Sequence, residues 1–150
     1  MFNSLDVSIG YPTVLTGRRI VHFLYSHLRL YDITPEQWTI LRYLGGQDGI
    51  TQKELSQKSG KDQATVTRIL DILDRKELIV RQSNASDRRS FLVYLTEEGK
   101  ALRDTIEPIM QEIYEKVFNG IPEEKLEIFL EVLNQVNENL EYELEKQTVR

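Results

Sequence analysis

The sequence predicts a mainly α-helical fold with a small β-wing. Three observations point to it. Two capped helical patterns meet at a glycine corner between residues 51 and 73, the apolar period turns from helical to strand-like at Leu78, and a long apolar stripe at helical spacing runs from Leu126 to Leu140. At 150 residues, 40% hydrophobic and 29% charged, the chain has the composition of one globular domain and can bury a core without disulfide or metal support.

Taken in order, Tyr11 to Tyr31 is mostly apolar and aromatic with Arg18, Arg19, His22 and Arg29 interspersed, and Pro12 suits the first turn of a helix. Thr34-Pro35-Glu36-Gln37 is a capping box that opens a second helix, with Trp38, Leu41 and Leu44 at helical spacing and Gly45-Gly46 as its stop. Thr51-Gln52-Lys53-Glu54 is another capping box, opening a short helix that carries Leu55 and ends at Gly60. Asp62 caps the next helix, whose buried stripe is Val66, Ile69, Leu70 and Leu73. The two helices around Gly60 form a helix-turn-helix pattern.

Leu78-Ile79-Val80 and Phe91 to Leu95 are β-branched or aromatic runs on either side of the turn-forming Ser83 to Asp87, and they predict a hairpin with a polar, basic tip. Thr96 caps a helix that runs through Leu102, Ile106, Ile109, Ile113 and Val117 to Gly120. Pro122 starts the last helix, with Leu126, Phe129, Leu133, Val136 and Leu140 three and four apart. Together these predict a single domain over residues 1–150, with a winged helix-turn-helix DNA-binding lobe at residues 33–96 and dimerisation helices at 1–32 and 97–150.

Net charge is −5, but its distribution is uneven. Residues 1–50 carry four basic and four acidic side chains, residues 51–96 nine and six, and residues 97–150 six and fourteen. The middle third is thus a basic island of net +3, and screening beyond about 8 Å lets it bind an anion despite the acidic last third. Zero cysteines exclude disulfides, thiolate nucleophiles and thiol-based redox sensing. No apolar run has membrane-spanning length, and MFNSLDVSIGYP shows no basic region followed by an apolar stretch, so a cytoplasmic location is expected.

A helix that enters a DNA major groove does so by its N-terminal residues, and Gln63, Thr65 and Arg68 lie off the buried stripe. Glutamine pairs with adenine, arginine with guanine, and threonine offers a methyl to thymine. Taken alone, such a face is more often merely solvated. The coincidence of a capped helix, a glycine corner and a basic hairpin within fifty residues favours the groove reading. Arg88 and Arg89 at the hairpin tip suit a minor groove, with Asp87 ordering the tip through a charge-assisted hydrogen bond.

The stretch from Thr51 to Gly99 resembles the winged helix-turn-helix of MarR-type transcriptional regulators. The most specific part is the Asp-x-Arg wing tip at Asp87 to Arg89, followed by a strand ending in Leu95-Thr96 and then Gly99. The TPEQW run at Thr34 to Trp38 is similar to the start of the family's second helix, so the likeness covers roughly residues 12–145. The resemblance implies a dimeric DNA-binding repressor, often relieved by small aromatic ligands, with Arg89 in the wing arginine's place and Arg68 on the recognition helix. The expected DNA-binding set is Thr51, Gln52, Lys61, Gln63, Ala64, Thr65, Thr67, Arg68, Arg88 and Arg89. The family usually carries glycine where this chain has Glu77. In a left-handed conformation there, glutamate would cost roughly 1 kcal/mol or more.

The apolar stripe from Leu126 to Leu140 reads either as core or as a dimer surface, and its length favours a homodimer that holds two recognition helices about 34 Å apart. The glutamates at 123, 124, 127, 131, 138 and 141 read as solvated surface. His22 and His27 are five apart and share no helix face, so neither a metal nor another cofactor is expected. Arg18 with His22, and Trp38 with Arg42, are each four apart. If those faces meet, an aromatic-lined pocket with a cationic end would accept a phenolic carboxylate. Ordinary packing of Trp38 beside exposed arginines is the plainer reading. No phosphate loop, metalloprotease helix or nucleophile elbow is present, so no enzyme is expected. The competing function is a winged-helix protein-interaction adaptor.

Overall fold

The computed structural model describes residues 4–47, 49–87 and 89–148, and the chain divides into two compact units, Met1–Ile113 and Tyr114–Arg150. In the first unit, α1 (Tyr11–Leu28) follows a wide helical turn at Asp6–Gly10 and continues into a tight one at Arg29–Tyr31. The apolar run from Tyr11 to Tyr31, read as one helix, thus tightens over its last three residues. Asp32 then takes φ 54° to redirect the chain into α2 (Pro35–Gly45). The Thr34 hydroxyl accepts from the Gln37 amide and the Gln37 side chain accepts from the Thr34 amide, both at 3.2 Å.

A short strand β1 (Ile50–Thr51) leads into α3 (Gln52–Ser59), and α4 (Gln63–Arg75) follows after Gly60. Gly60 sits at φ 63°, and the Lys61 amide reaches back to the Ser56 carbonyl at 3.2 Å, so the corner is a Schellman turn that glycine alone enters without strain. The predicted stripe Val66, Ile69, Leu70 and Leu73 is buried in full, as is Leu55. These side chains form the core with Ile40, Leu41, Ile50 and Ile106.

The hairpin pairs β2 (Ile79–Ser83) with β3 (Phe91–Leu95), from Ile79 opposite Leu95 to Ser83 opposite Phe91. Strand β1 adds to the other side of β3, giving an antiparallel sheet in the order β1-β3-β2. That third strand is only two residues long, too short for a period to be seen in the sequence. Helix α5 (Glu97–Val117) begins with the Thr96 hydroxyl accepting from the Gly99 amide at 3.0 Å. Of its predicted stripe, Ile106 and Ile113 are buried and Leu102 and Ile109 are half-buried, while Met110 joins the core. Pro108 lies inside this helix, where it removes one backbone donor. The first compact unit takes in α1 and α5 as far as Ile113, so it extends beyond residues 33–96.

The second unit holds the end of α5, where the Tyr114 and Phe118 rings stack 6.3 Å apart, and α6 (Glu123–Thr148). No described side chain of α6 is buried. Of the stripe, Leu126 and Leu133 are half-buried, and Phe129, Val136 and Leu140 are 49%, 45% and 54% exposed.

Candidate nucleic-acid interface

The exposed face of α4 is built by its cap. Asp62 accepts from the Thr65 amide at 2.8 Å and from the Thr65 hydroxyl at 2.7 Å, and the Arg68 guanidinium donates to the Thr65 hydroxyl oxygen at 3.4 Å. The hydroxyl, and then the amide, hold the Asp62 carboxyl below its ordinary titration range. Gln63, Ala64 and Arg68 are exposed, while Thr65 and Thr67 are half-buried. Every one of these lies off the buried stripe, as the 3.6-residue period requires.

At the start of α3, Thr51 accepts from the Glu54 amide at 3.2 Å and donates its hydroxyl proton to the Glu54 carboxylate at 2.7 Å. The Thr51 hydroxyl, and then its amide, lower the titration of Glu54. Gln52 donates to the Thr67 hydroxyl oxygen at 2.7 Å and to the Gln63 carbonyl at 3.3 Å. Gln52 and Thr67, expected as DNA contacts, therefore spend these polar atoms on fixing α3 against α4, and Thr51 spends its own on capping α3. Lys61 is half-buried at the corner, where its carbonyl accepts from Ser56.

The wing lies beside this face. Asn84 accepts from the Ser86 amide and donates to the Ser90 hydroxyl oxygen, both at 3.0 Å. Asp87 accepts from the Arg89 amide at 3.0 Å, so its partner at the tip is a backbone donor. Arg88 lies outside the described residues. Arg81 on β2 pairs with Asp71 at 2.6 Å and with Asp74 at 3.7 Å, bracing the wing against α4. Sequence reading missed this brace, since its partners are ten and seven residues apart and on different elements. Between α3, α4 and the wing opens a cleft of about 570 Å³. It brings together Thr51, Gln52, Gln63, Thr67, Asp87 and Arg89, and adds Lys53, Arg81 and Asn84.

The turn from α4 into the wing is also a Schellman turn, with the Leu78 amide on the Leu73 carbonyl at 3.0 Å and Glu77 on that of Asp74 at 2.9 Å. Glu77 takes φ 59°, the left-handed conformation that its replacement of the usual glycine put at issue. The fold thus keeps the turn and accepts the strain.

The second candidate site divides. Arg18 and His22 line a cavity of about 550 Å³ with Val14, Val21, Tyr25, Pro35 and Glu36. Trp38 and Arg42 do not line it. Trp38 is 5% exposed and belongs to the core, and the Arg42 guanidinium lies 5.6 Å from the centre of the Tyr43 ring. The two pairs do not meet: the residues four apart on α1 face the N-terminus of α2, while Trp38 packs in the core. Continuing the α1 spacing from Arg18 back to Val14 and on to Val21 and Tyr25 would have found the apolar wall. Among the described residues no group of three or more His, Cys, Asp or Glu is placed to hold a metal, and no helix is long and apolar enough to cross a membrane.

Two capped helices at a glycine corner, the second with a buried stripe behind an exposed polar face, and a braced hairpin beside it define a winged helix-turn-helix. Residues 33–91 match the MarR family model. Over those residues the chain carries the winged helix-turn-helix of MarR-family transcriptional regulators. It is 26% identical over 128 residues to the HTH-type transcriptional regulator SarZ of Staphylococcus aureus strain USA300, covering 85% of this chain and 86% of that protein. Among solved structures it is similar to MepR of S. aureus in complex with DNA, with a TM-score of 0.82 and 28% identity over 88% of this chain and 98% of that one. A protein of unknown function from Listeria innocua Clip11262 is 36% identical, with a TM-score of 0.67 over 87% and 91% of the two chains.

Proposed function

We propose that this regulator is a repressor that binds a pseudopalindromic DNA operator as a homodimer in the cytoplasm and is released by a small aromatic carboxylate. The observation that carries the DNA reading is the N-terminal face of α4. Gln63, Ala64 and Arg68 are exposed there, opposite a stripe that is entirely buried, and the arginine-bearing wing stands beside them. A helix so placed enters the major groove by that end while the wing reaches toward the neighbouring minor groove. Arg68 has the donor geometry for guanine, and Lys61 and Arg89 supply charge to phosphate.

Selection of bound sequences from random DNA tests this reading. It is expected to return an inverted repeat, and Arg68→Ala should weaken the best operator by about 1 to 3 kcal/mol while affecting random DNA less. Equal losses on both would reassign Arg68 to phosphate contact. Binding without any sequence preference would favour the adaptor reading instead.

The effector reading rests on the cavity between α1 and the start of α2. Its volume, about 550 Å³, suits a small ligand. Val14, Val21, Tyr25 and Pro35 give apolar walls, and Arg18 offers a cation to a carboxylate, offsetting Glu36. A bound ligand weakens operator binding only through its differential affinity for two arrangements of the protein.

A further inference from the structure

We infer that Asp62 sets the hydrogen-bond polarity of the reading face of α4, fixing Thr65 as an acceptor toward the groove and so selecting a base that offers an amino group there. This rests on the DNA reading above. A threonine hydroxyl has one proton and two lone pairs, and its rotor normally lets it serve as donor or acceptor to either kind of base. Here the rotor is set. Asp62 is a carboxylate, which only accepts, and the Thr65 hydroxyl lies 2.7 Å from Oδ2 while the Thr65 amide holds Oδ1 at 2.8 Å. The lowered titration of Asp62 keeps it in the accepting form at neutral pH.

The hydroxyl proton is therefore committed to Asp62, and only lone pairs remain for other partners. Arg68 uses one of them, with Nη2 at 3.4 Å from Oγ1. The contact steadies the guanidinium over the same face and leaves four of its five N–H donors, two of which suffice for guanine O6 and N7. The face thus presents an acceptor at Thr65 and a donor fork at Arg68 one helical turn further on. In the major groove the complementary edges are the amino group of adenine or cytosine opposite Thr65 and the acceptors of guanine opposite Arg68. Asp62 touches neither base in this scheme and acts as a positioning residue.

The test is sequence selection from random DNA by the full-length protein and two variants. Thr65→Val keeps the shape and a methyl group but removes the hydroxyl, and it should flatten the preference for adenine or cytosine at one half-site position. Asp62→Asn keeps the helix cap through its carbonyl oxygen, since asparagine caps as well as aspartate. Its amide group, however, donates to the Thr65 oxygen and turns the hydroxyl proton outward. At the same position the preference should move toward guanine or thymine by roughly tenfold. Loss of a negative charge near DNA also raises overall affinity, but equally for all sequences, so the ratio of preferences isolates the effect. A purely structural cap would leave that ratio alone. Unchanged base preferences in Asp62→Asn, or in Thr65→Val, would overturn the inference while leaving the DNA reading in place. Absence of any selected sequence with the wild-type protein would overturn both.

Discussion

At the scale of single residues, Glu77 stands in a left-handed position where the family resemblance implies glycine. Its φ of 59° places a side chain where glycine is favoured, and the Schellman hydrogen bonds around it show that the turn has not been rebuilt to relieve it. Glu77→Gly should therefore stabilise the protein by up to about 1 kcal/mol, less whatever the added freedom of the unfolded chain costs. Urea denaturation at neutral pH reads this as a higher midpoint at unchanged slope, and a lower midpoint would show that the glutamate side chain makes a compensating contact. The strain was legible in the sequence because a glycine-shaped position carried a charged residue. The partner of Asp87 was legible only in part. The sequence placed a carboxylate at the wing tip, but nothing in it says that the Arg89 amide, close along the chain, is its partner in the fold.

At the scale of elements, all three helix starts from α2 to α4 were visible because capping acts over three residues and needs no tertiary context. The charged members of two caps make a pH-dependent prediction. Asp62 and Glu54 titrate below their ordinary range when folded, so each contributes stability that is complete above the ordinary carboxylate pKa of about 4 and disappears as pH falls through the lowered folded value. Unfolding midpoints measured from pH 7 down to 3 should fall less steeply in the Asp62→Asn, Glu54→Gln double variant than in the wild type. Parallel curves would mean that other carboxylates govern the acid limb. What the sequence did not reveal at this scale depends on pairs distant along the chain. Strand β1 exists because Ile50 and Thr51 meet Val93 and Leu92, and the wing is braced because Arg81 meets Asp71 and Asp74. Removing the brace with Arg81→Ala should leave global stability within about 1 kcal/mol, since the pair is partly exposed, yet weaken operator binding by freeing the wing. Intact operator affinity in that variant would show that the hairpin is rigid without it.

At the scale of the whole molecule, the sequence left two readings of the last apolar stripe, and α6 buries none of its described side chains within one chain. A second copy is the occupant that the homodimer reading supplies. Deleting residues 122–150 is accordingly expected to give a monomer in sedimentation experiments at micromolar concentration, and a full-length protein that is itself monomeric there would contradict the reading. The effector reading makes its own demand. Hydroxybenzoates that bind, as followed by calorimetry, should lower operator affinity at saturation, and Arg18→Ala should remove both effects. Binding with no change in operator affinity would leave the cavity without a regulatory role. One small joint bears on any such coupling. A Cβ at Gly99 would fall 2.0 Å from the Leu78 carbonyl oxygen, the same oxygen accepts from the Thr96 amide at 3.1 Å, and the Thr96 hydroxyl donates to the Glu77 carbonyl at 2.7 Å. The start of α5 is thereby pinned directly to the turn that joins α4 to the wing. It is a tight elbow: any side chain at position 99 would have to push α5 away from the wing root.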